Sequence, residues 1–97
     1  MNIKKILEMM IAQKGSDLHL KAGLQPVIRV DGKLKHLDFQ RPSPKDMEAI
    51  ADQILTPAQK DKFRRTKEVD FAFGVAGLAR FRANFYIQRG SIAMVFR

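Results

Sequence analysis

The sequence predicts one α+β domain in which helices pack against one face of a mostly antiparallel sheet of about six strands. Six short segments alternate apolar and polar side chains, which is typical of half-buried strands. Three other segments repeat apolar side chains every three or four residues, as amphipathic helices do. The order is helix, three strands, two helices, three strands, which favours a layered α+β arrangement.

Composition supports a globular chain with an anionic partner. The chain has 97 residues, 45% of them hydrophobic and seven of them Phe, which is enough for one modest core. No cysteine is present, which excludes disulfides and thiolate metal sites. The net charge of +8 favours nucleic acid, acidic lipid, a nucleotide or an acidic protein surface as partner. No apolar run approaches transmembrane length, and Glu8 and Gln13 interrupt the one that resembles a signal peptide.

The first element is predicted to be an amphipathic helix over residues 2–14. Its stripe lies at the spacing of one helix face and comprises Ile3, Ile6, Leu7, Met10 and Ile11. We expect Lys14-Gly15 to end this helix, with Gly15 in the left-handed position that follows a helix.

Three short strands are predicted next. In residues 16–21 Leu18 and Leu20 face inward, and Asp17 and His19 share the outer face. After a loop over residues 22–26, residues 27–30 and 33–37 alternate on either side of Asp31-Gly32. This dipeptide suits a type I′ hairpin turn, because both central positions there need positive φ.

Two capping signals mark the central helix pair. Ser43 precedes Pro44 and stands three residues before Asp46, as in a capping box, and residues 56–59 repeat the pattern as Thr-Pro-Ala-Gln. One helix is therefore expected to end near Leu55 and the next near Arg65. The second helix is anchored by Phe63 and carries a solvated cationic run of Lys60, Lys62, Arg64, Arg65 and Lys67.

The last part of the chain is predicted to be a three-stranded unit. In residues 68–73 Val69, Phe71 and Phe73 face inward and Asp70 faces outward, and a turn over residues 74–77 follows. Two more strands meet at Arg89-Gly90. Their inward sets are Phe81, Ala83, Phe85 and Ile87 in the first and Ile92, Met94 and Phe96 in the second.

Arginines gather on the outer face of that final hairpin. Strand parity places Arg80, Arg82 and Arg97 on one side, with Asn84 beside them and Asp70 within reach as a partner. From Phe71 onward the chain has four arginines, no lysine and no acid. Guanidinium alone suggests bidentate recognition of an oxyanion such as phosphate. A cationic face that keeps the sheet soluble and blunts its edge is the alternative.

Recognisable catalytic and metal motifs are absent from the residues. No Walker A loop, dinucleotide fingerprint or nucleophile elbow occurs, so these residues alone do not predict a complete enzyme. Asp17 and His19 could form an acid–base pair, but no third partner is visible, and a structural role for the pair is favoured. With His36 on another strand, the two histidines do not predict a metal site. Because the chain stops in mid-strand at Arg97, we expect it to be cut from a longer protein.

Three segments together resemble a known family. They are Gly-Ser-Asp-Leu-His-Leu (15–20), Pro-Val-Ile-Arg-Val-Asp-Gly (26–32), and Gly-Leu-Ala-Arg-Phe-Arg-Ala-Asn (77–84) with the later Gln-Arg-Gly and Val-Phe-Arg. In this order they resemble the N-terminal domain of the PilT family of type IV pilus retraction (twitching-motility) ATPases, in the type II/IV secretion superfamily. The resemblance covers essentially the whole chain.

The resemblance implies a PAS-like N-terminal domain that precedes a RecA-like ATPase domain in a cytoplasmic hexamer at the inner-membrane base of the pilus. ATP, with magnesium in the full-length protein, would lie between the two domains, and the isolated domain would hold no nucleotide. By motif, Arg82 and Arg97 are the first candidates for its phosphates and Arg80 the third, with Asp70 and Asn84 in support. The implied partners are the protein's own ATPase domain, five further copies of the chain and the platform protein, but not nucleic acid.

Two other functions stay open from sequence. A nucleic-acid-binding module fits the charge, although Phe81 and Phe85 share the inward parity and would not stack on bases. A PAS-type small-molecule sensor would need an internal pocket, which no sequence feature marks.

Overall fold

The computed structural model describes residues 1–97 and confirms the predicted α+β class and order of elements. The elements are α1 (Ile3–Ala12), β1 (Asp17–Lys21), β2 (Val27–Val30), β3 (Lys33–His36), α2 (Pro44–Ile54), α3 (Pro57–Thr66), β4 (Glu68–Val75), β5 (Ala79–Gln88) and β6 (Ser91–Phe96). Element ends agree with the sequence predictions to within two residues. The largest strand difference is β4, which runs on to Val75, so that the turn before β5 is shorter than expected.

All six strands form one antiparallel sheet in the order β3-β2-β1-β6-β5-β4. The first and last strands of the chain lie side by side at its centre, where Leu18 is opposite Phe96 and Leu20 opposite Met94. The N-terminal unit of β1–β3 and the C-terminal unit of β4–β6 are therefore joined through one strand pair. Strand order depends on pairing between distant segments, which local pattern does not specify.

The two central helices begin as their sequence signals predict. Ser43 accepts from the Asp46 amide at 3.0 Å, and the Asp46 carboxylate accepts from the Ser43 amide at 2.8 Å. Thr56 and Gln59 make the same reciprocal pair at the start of α3. These bonds satisfy N–H groups that have no partner inside a helix.

The end of α1 differs from the prediction. Lys14, not Gly15, takes the left-handed conformation, with φ of 58°. Gly15 is required for another reason, because a Cβ there would lie 2.8 Å from Met10 Cγ and 3.2 Å from the Met10 carbonyl oxygen. The glycine thus lets the chain turn tightly beneath α1 and enter β1. At the hairpin between β2 and β3 the prediction is confirmed, since Asp31 and Gly32 have φ of 50° and 79°.

One hydrophobic core lies between the helices and the facing side of the sheet. Phe85 is at its centre, fully buried, with its ring edge-on to Phe71 at 5.0 Å and to Phe96 at 5.8 Å between centroids. Helices α1 and α2 each bury an apolar stripe here, although Ile11, predicted to belong to the α1 stripe, is 38% exposed. Helix α3 has no buried residue and lies across β4 at the margin. No polar or charged residue is buried in the core.

Candidate functional site

The side of the sheet opposite the helices, which we call the open face, carries the predicted arginines. Strand register arranges its side chains in rows across the sheet. One row comprises Arg29, Asp17, Arg97, Arg82 and Ala72. Arg29 pairs with Asp17, and the β1–β6 register, extended by one residue, places Asp17 opposite Arg97. Farther along the row, Arg82 pairs with Ala72. This row crosses five strands, which are spaced about 4.8 Å apart.

Arg82 and Arg97 are directly opposed at the centre of this row. The Arg82 amide donates to the Arg97 carbonyl at 2.9 Å, and the Arg97 amide donates back at 2.7 Å. In such a hydrogen-bonded pair the Cα atoms lie about 5.5 Å apart, with both side chains on the same face. The predicted juxtaposition of these two arginines is therefore present, and both side chains are exposed.

Arg82 forms an ion pair with one carboxylate while its side chain stays exposed to solvent. Its Nη2 lies 3.5 Å from Asp70 Oδ2, and the two side chains are 67% and 58% exposed. An ion pair this exposed contributes little free energy, so a stronger anion could displace or share it. Asp70 thus orients the guanidinium, as sequence parity suggested, and leaves donors free for a ligand.

Arg97 has no carboxylate within 4.0 Å of its guanidinium nitrogens. Asn84 donates to Glu68 Oε1 at 3.0 Å, so the amide engages that acid and not an arginine. The Arg97 guanidinium is consequently the least neutralised of the central pair. Of the two residues predicted to support the arginines, Asp70 contacts one and Asn84 contacts neither.

The two remaining arginines of the hairpin lie at different distances from the pair. Arg80 is exposed on the same face, two residues along β5 from Arg82 and about 7 Å away, opposite Gly74. Arg89 lies in the turn after β5 with φ of 52°, about 23 Å along the strand from Arg82. The structure therefore brings Arg80, Arg82 and Arg97 together and leaves Arg89 apart.

Asp17 and His19 are neighbours on the open face but do not form a close acid–base pair. His19 Nε2 lies 3.7 Å from Asp17 Oδ2, beyond hydrogen-bond distance, and Arg29 Nε lies 3.6 Å from the same oxygen. Burial lowers the pKa of His19, Asp17 opposes this shift, and Arg29, Arg97 and Lys21 reinforce it. The imidazole is thus kept neutral among cations, which fits the structural role predicted for it.

Sequence reasoning missed part of the open face. Ala93 and Val95 lie in its middle and are buried, so the outer side of the hairpin is not wholly polar. Arg29 also joins the arginine row, where its side chain contacts Asp17. Parity along β6 places Ala93 and Val95 on this face, whereas only cross-strand register brings Arg29 into the row. No group of three metal-ligating side chains occurs, and none of the helices is long and apolar enough to cross a membrane.

The chain is similar along its whole length to pilus motor proteins. It is 39% identical over 97 residues to the type IV pilus retraction ATPase PilT of Pseudomonas aeruginosa and 30% identical over 97 residues to the type IV pilus ATPase PilU of that organism. It spans 28% and 25% of these two proteins, about a quarter of their length. No family model matches the chain.

Solved structures give the same result. A crystal structure of the pilus retraction motor PilT with bound ADP superposes with a TM-score of 0.92 at 41% identity, covering 100% of this chain and 29% of that one. The Legionella pneumophila ATPase DotB has a TM-score of 0.81 at 20% identity, over 98% of this chain and 27% of its own, and shows the shared fold. The chain therefore belongs to the PilT family of type IV pilus ATPases, in which it corresponds to the N-terminal domain.

Proposed function

We propose that this chain is the N-terminal domain of a hexameric type IV pilus retraction motor and that its arginines contact the phosphates of ATP. The observation that carries the proposal is the opposed pair of Arg82 and Arg97, exposed together on a sheet face that no helix covers. Arg80 extends the same cationic surface along β5. ATP and magnesium would be held by a C-terminal RecA-like domain, because this sequence has no Walker A loop.

Phosphoryl transfer is accelerated by positive charge placed where negative charge develops. Arginine suits this task because its planar guanidinium stays charged and binds phosphate oxygens in pairs. A sheet fixes the separation of its side chains, so closure of the two domains would bring the arginines to the phosphates together. Opening and closing would then couple the state of the nucleotide to the shape of a ring.

The cellular setting is part of the same proposal. Such a motor would work in the cytoplasm at the inner membrane, as a homohexamer that acts on the platform protein of the pilus. The names of the relatives, PilT and PilU ATPases and a twitching motility protein of Neisseria gonorrhoeae that is 29% identical over 72 residues, support the assignment to a pilus motor.

The two alternative functions lack a supporting observation. Phe81 and Phe85 are 6% and 0% exposed, so neither ring can stack on a base. Phe85, Met94 and Phe96 fill the centre of the core, where a PAS-type sensor would need a ligand cavity. The arginine face therefore favours phosphate binding beside a second domain.

The test is ATP turnover by the full-length motor with Arg82→Ala or Arg97→Ala. Loss of an arginine that stabilises a transferring phosphoryl group reduces turnover by about 10³-fold or more. Arg89→Ala is the matched control, because it removes an exposed arginine from the same hairpin at its distant end. Unchanged turnover in both central variants, with circular dichroism showing intact folding, would remove these arginines from the mechanism.

A further inference from the structure

The two most exposed large hydrophobic side chains of the molecule line one pocket. Leu24 and Leu34 are 53% and 61% exposed, and with Val27 they border a concavity of about 220 Å³ on the open face beside β1, β2 and β3. A single exposed leucine is ordinary, but two that converge on one concavity form an apolar patch. This pocket lies on the same face as the Arg82–Arg97 pair but nearer the β3 edge of the sheet.

The leucines are held in this position by the fold. Leu34 pairs with Arg29 across β2 and β3, which fixes its side chain on the open face. The loop that carries Leu24 is tied down at Gly23, whose amide donates to the Pro42 carbonyl at 2.8 Å. The Gly23 carbonyl accepts from Arg41 Nη1 at 3.2 Å. The apolar patch is therefore a fixed feature of the surface.

The surroundings of the pocket are cationic. Lys21 and Arg29 line it together with His19 and Gln25, and no carboxylate does. Arg29 is already engaged by Asp17 and by the Gly32 carbonyl, whereas Lys21 has no acidic partner. Strand β3 adds Lys33 and Lys35, both exposed and on the other face of the strand from Leu34. These charges favour an acidic partner and oppose docking of the same edge from a second copy.

Strand β3 is also an edge of the sheet. It pairs only with β2, so one side of its backbone is free of ladder hydrogen bonds. An extended segment can add to such an edge, with main-chain bonds giving affinity and alternate side chains entering pockets for specificity. The pocket lies beside the side chains of an added strand that would project onto the open face.

We propose that the β3 edge and the Leu24–Leu34 pocket form a docking site for an extended acidic segment of a protein partner. One apolar side chain of the segment fills the pocket, and the carboxylates that alternate with it project to the other face, where they meet Lys33 and Lys35. This site uses residues apart from the arginine pair, so it stands or falls independently of nucleotide contact.

A fluorescein-labelled peptide of alternating glutamate and leucine, titrated with the 97-residue chain and followed by anisotropy, tests the site. We expect saturable binding that weakens as salt is added. Leu34→Ser should weaken it about fivefold to tenfold, because the buried contact with the peptide leucine is lost. Ile11→Ser is the matched control, since Ile11 is 38% exposed on α1, and it should leave affinity unchanged.

Two Lys→Glu variants distinguish binding at this site from nonspecific electrostatic attraction between the basic chain and the acidic peptide. Lys35→Glu should weaken binding about as much as Leu34→Ser, whereas Lys62→Glu, with the same change of net charge on α3, should have a much smaller effect. Circular dichroism confirms that each variant is folded.

Several outcomes overturn the proposal. They are absence of saturable binding, equal binding of a peptide with serine for leucine, and equal loss in Ile11→Ser or Lys62→Glu. A dimer that Leu34→Ser dissociates would make a second copy the occupant. Binding to anionic phospholipid vesicles through the same leucines, without peptide binding, would make it a membrane contact.

Discussion

The two faces of the sheet differ in their side chains and in what covers them. The helix face is closed by α1 and α2 and holds the whole apolar core, with no polar residue buried in it. The open face is covered by no helix and carries Arg29, Arg80, Arg82 and Arg97, of which only Arg29 and Arg82 form an ion pair with a carboxylate. Stability and ligand contact are therefore separated, and each strand contributes alternate residues to one or the other.

Strand β5 shows this separation within a few residues. Phe81, Ala83 and Phe85 are buried among the helices, while Arg80 and Arg82 between them are exposed. A substitution on this strand should thus affect folding or ligand contact according to its parity. Variants at neighbouring positions can test that rule directly.

The largest effect is expected on the helix face, for Phe85→Ala. The ring is 0% exposed and contacts two other rings edge-on, so its removal leaves a cavity at the centre of the core. We expect the free energy of unfolding, measured by urea titration, to fall by about 3–5 kcal/mol. Tyr86→Ala, at the next position on the open face, is the matched control, and an equal loss there would contradict the separation of the faces.

A smaller effect is expected for Ser43→Ala, which weakens the helix that closes the core. Ser43 and Asp46 satisfy each other's amides at the start of α2, and loss of such a cap costs about 1 kcal/mol of unfolding free energy. Because the two bonds are reciprocal, Ser43→Ala and Asp46→Ala together should cost less than the sum of the single losses. Additive losses in thermal or urea unfolding would show that the two bonds act separately.

On the open face Arg82→Ala should change stability by no more than about 0.5 kcal/mol. Its ion pair with Asp70 is exposed on both sides, so breaking it costs little free energy. The same urea titration gives this value, and the result matters because lost ATP turnover could then be assigned to the site and not to unfolding. A loss near that of Phe85→Ala would mean that the arginine has a structural role.

Much of the fold could be predicted because its signals are local. The capping boxes at Ser43 and Thr56 and the turn at Asp31-Gly32 depend on residues within four positions of each other. The left-handed residue at the end of α1 was placed wrongly at Gly15, because close approach to Met10 was not visible in the sequence. The central pairing of β1 with β6 joins segments more than seventy residues apart, and local pattern does not encode it.

The site was partly predictable for the same reason. Parity along β5 and β6 placed Arg82 and Arg97 on one face, since alternation is a property of each strand. It could not show that Arg29 joins their row, that Asn84 turns to Glu68, or that Leu24 and Leu34 meet. These contacts depend on register between strands or on the path of a loop, which only the folded chain fixes.

The smallest effect should appear as a pH dependence of stability that comes from His19. Burial lowers the pKa of His19 below its ordinary value of 6.5, so below that pH the unfolded chain binds a proton more readily than the folded chain. The contribution of His19 to stability should be constant well above pH 6.5 and fall as the pH drops through 6.5. The positive groups facing the ring, Arg29, Arg97 and Lys21, act with burial, and Asp17 acts against it.

Urea titrations across this pH range measure that slope, with His19→Gln as the variant and His36→Gln, at an exposed position on β3, as its control. The His19 variant should flatten the curve, and the His36 variant should keep it. A stability that rises on acidification would mean that Asp17 outweighs burial and the surrounding cations. In that case the imidazole would be a charged member of the open face, and the cationic surface proposed to meet phosphate would strengthen as pH falls.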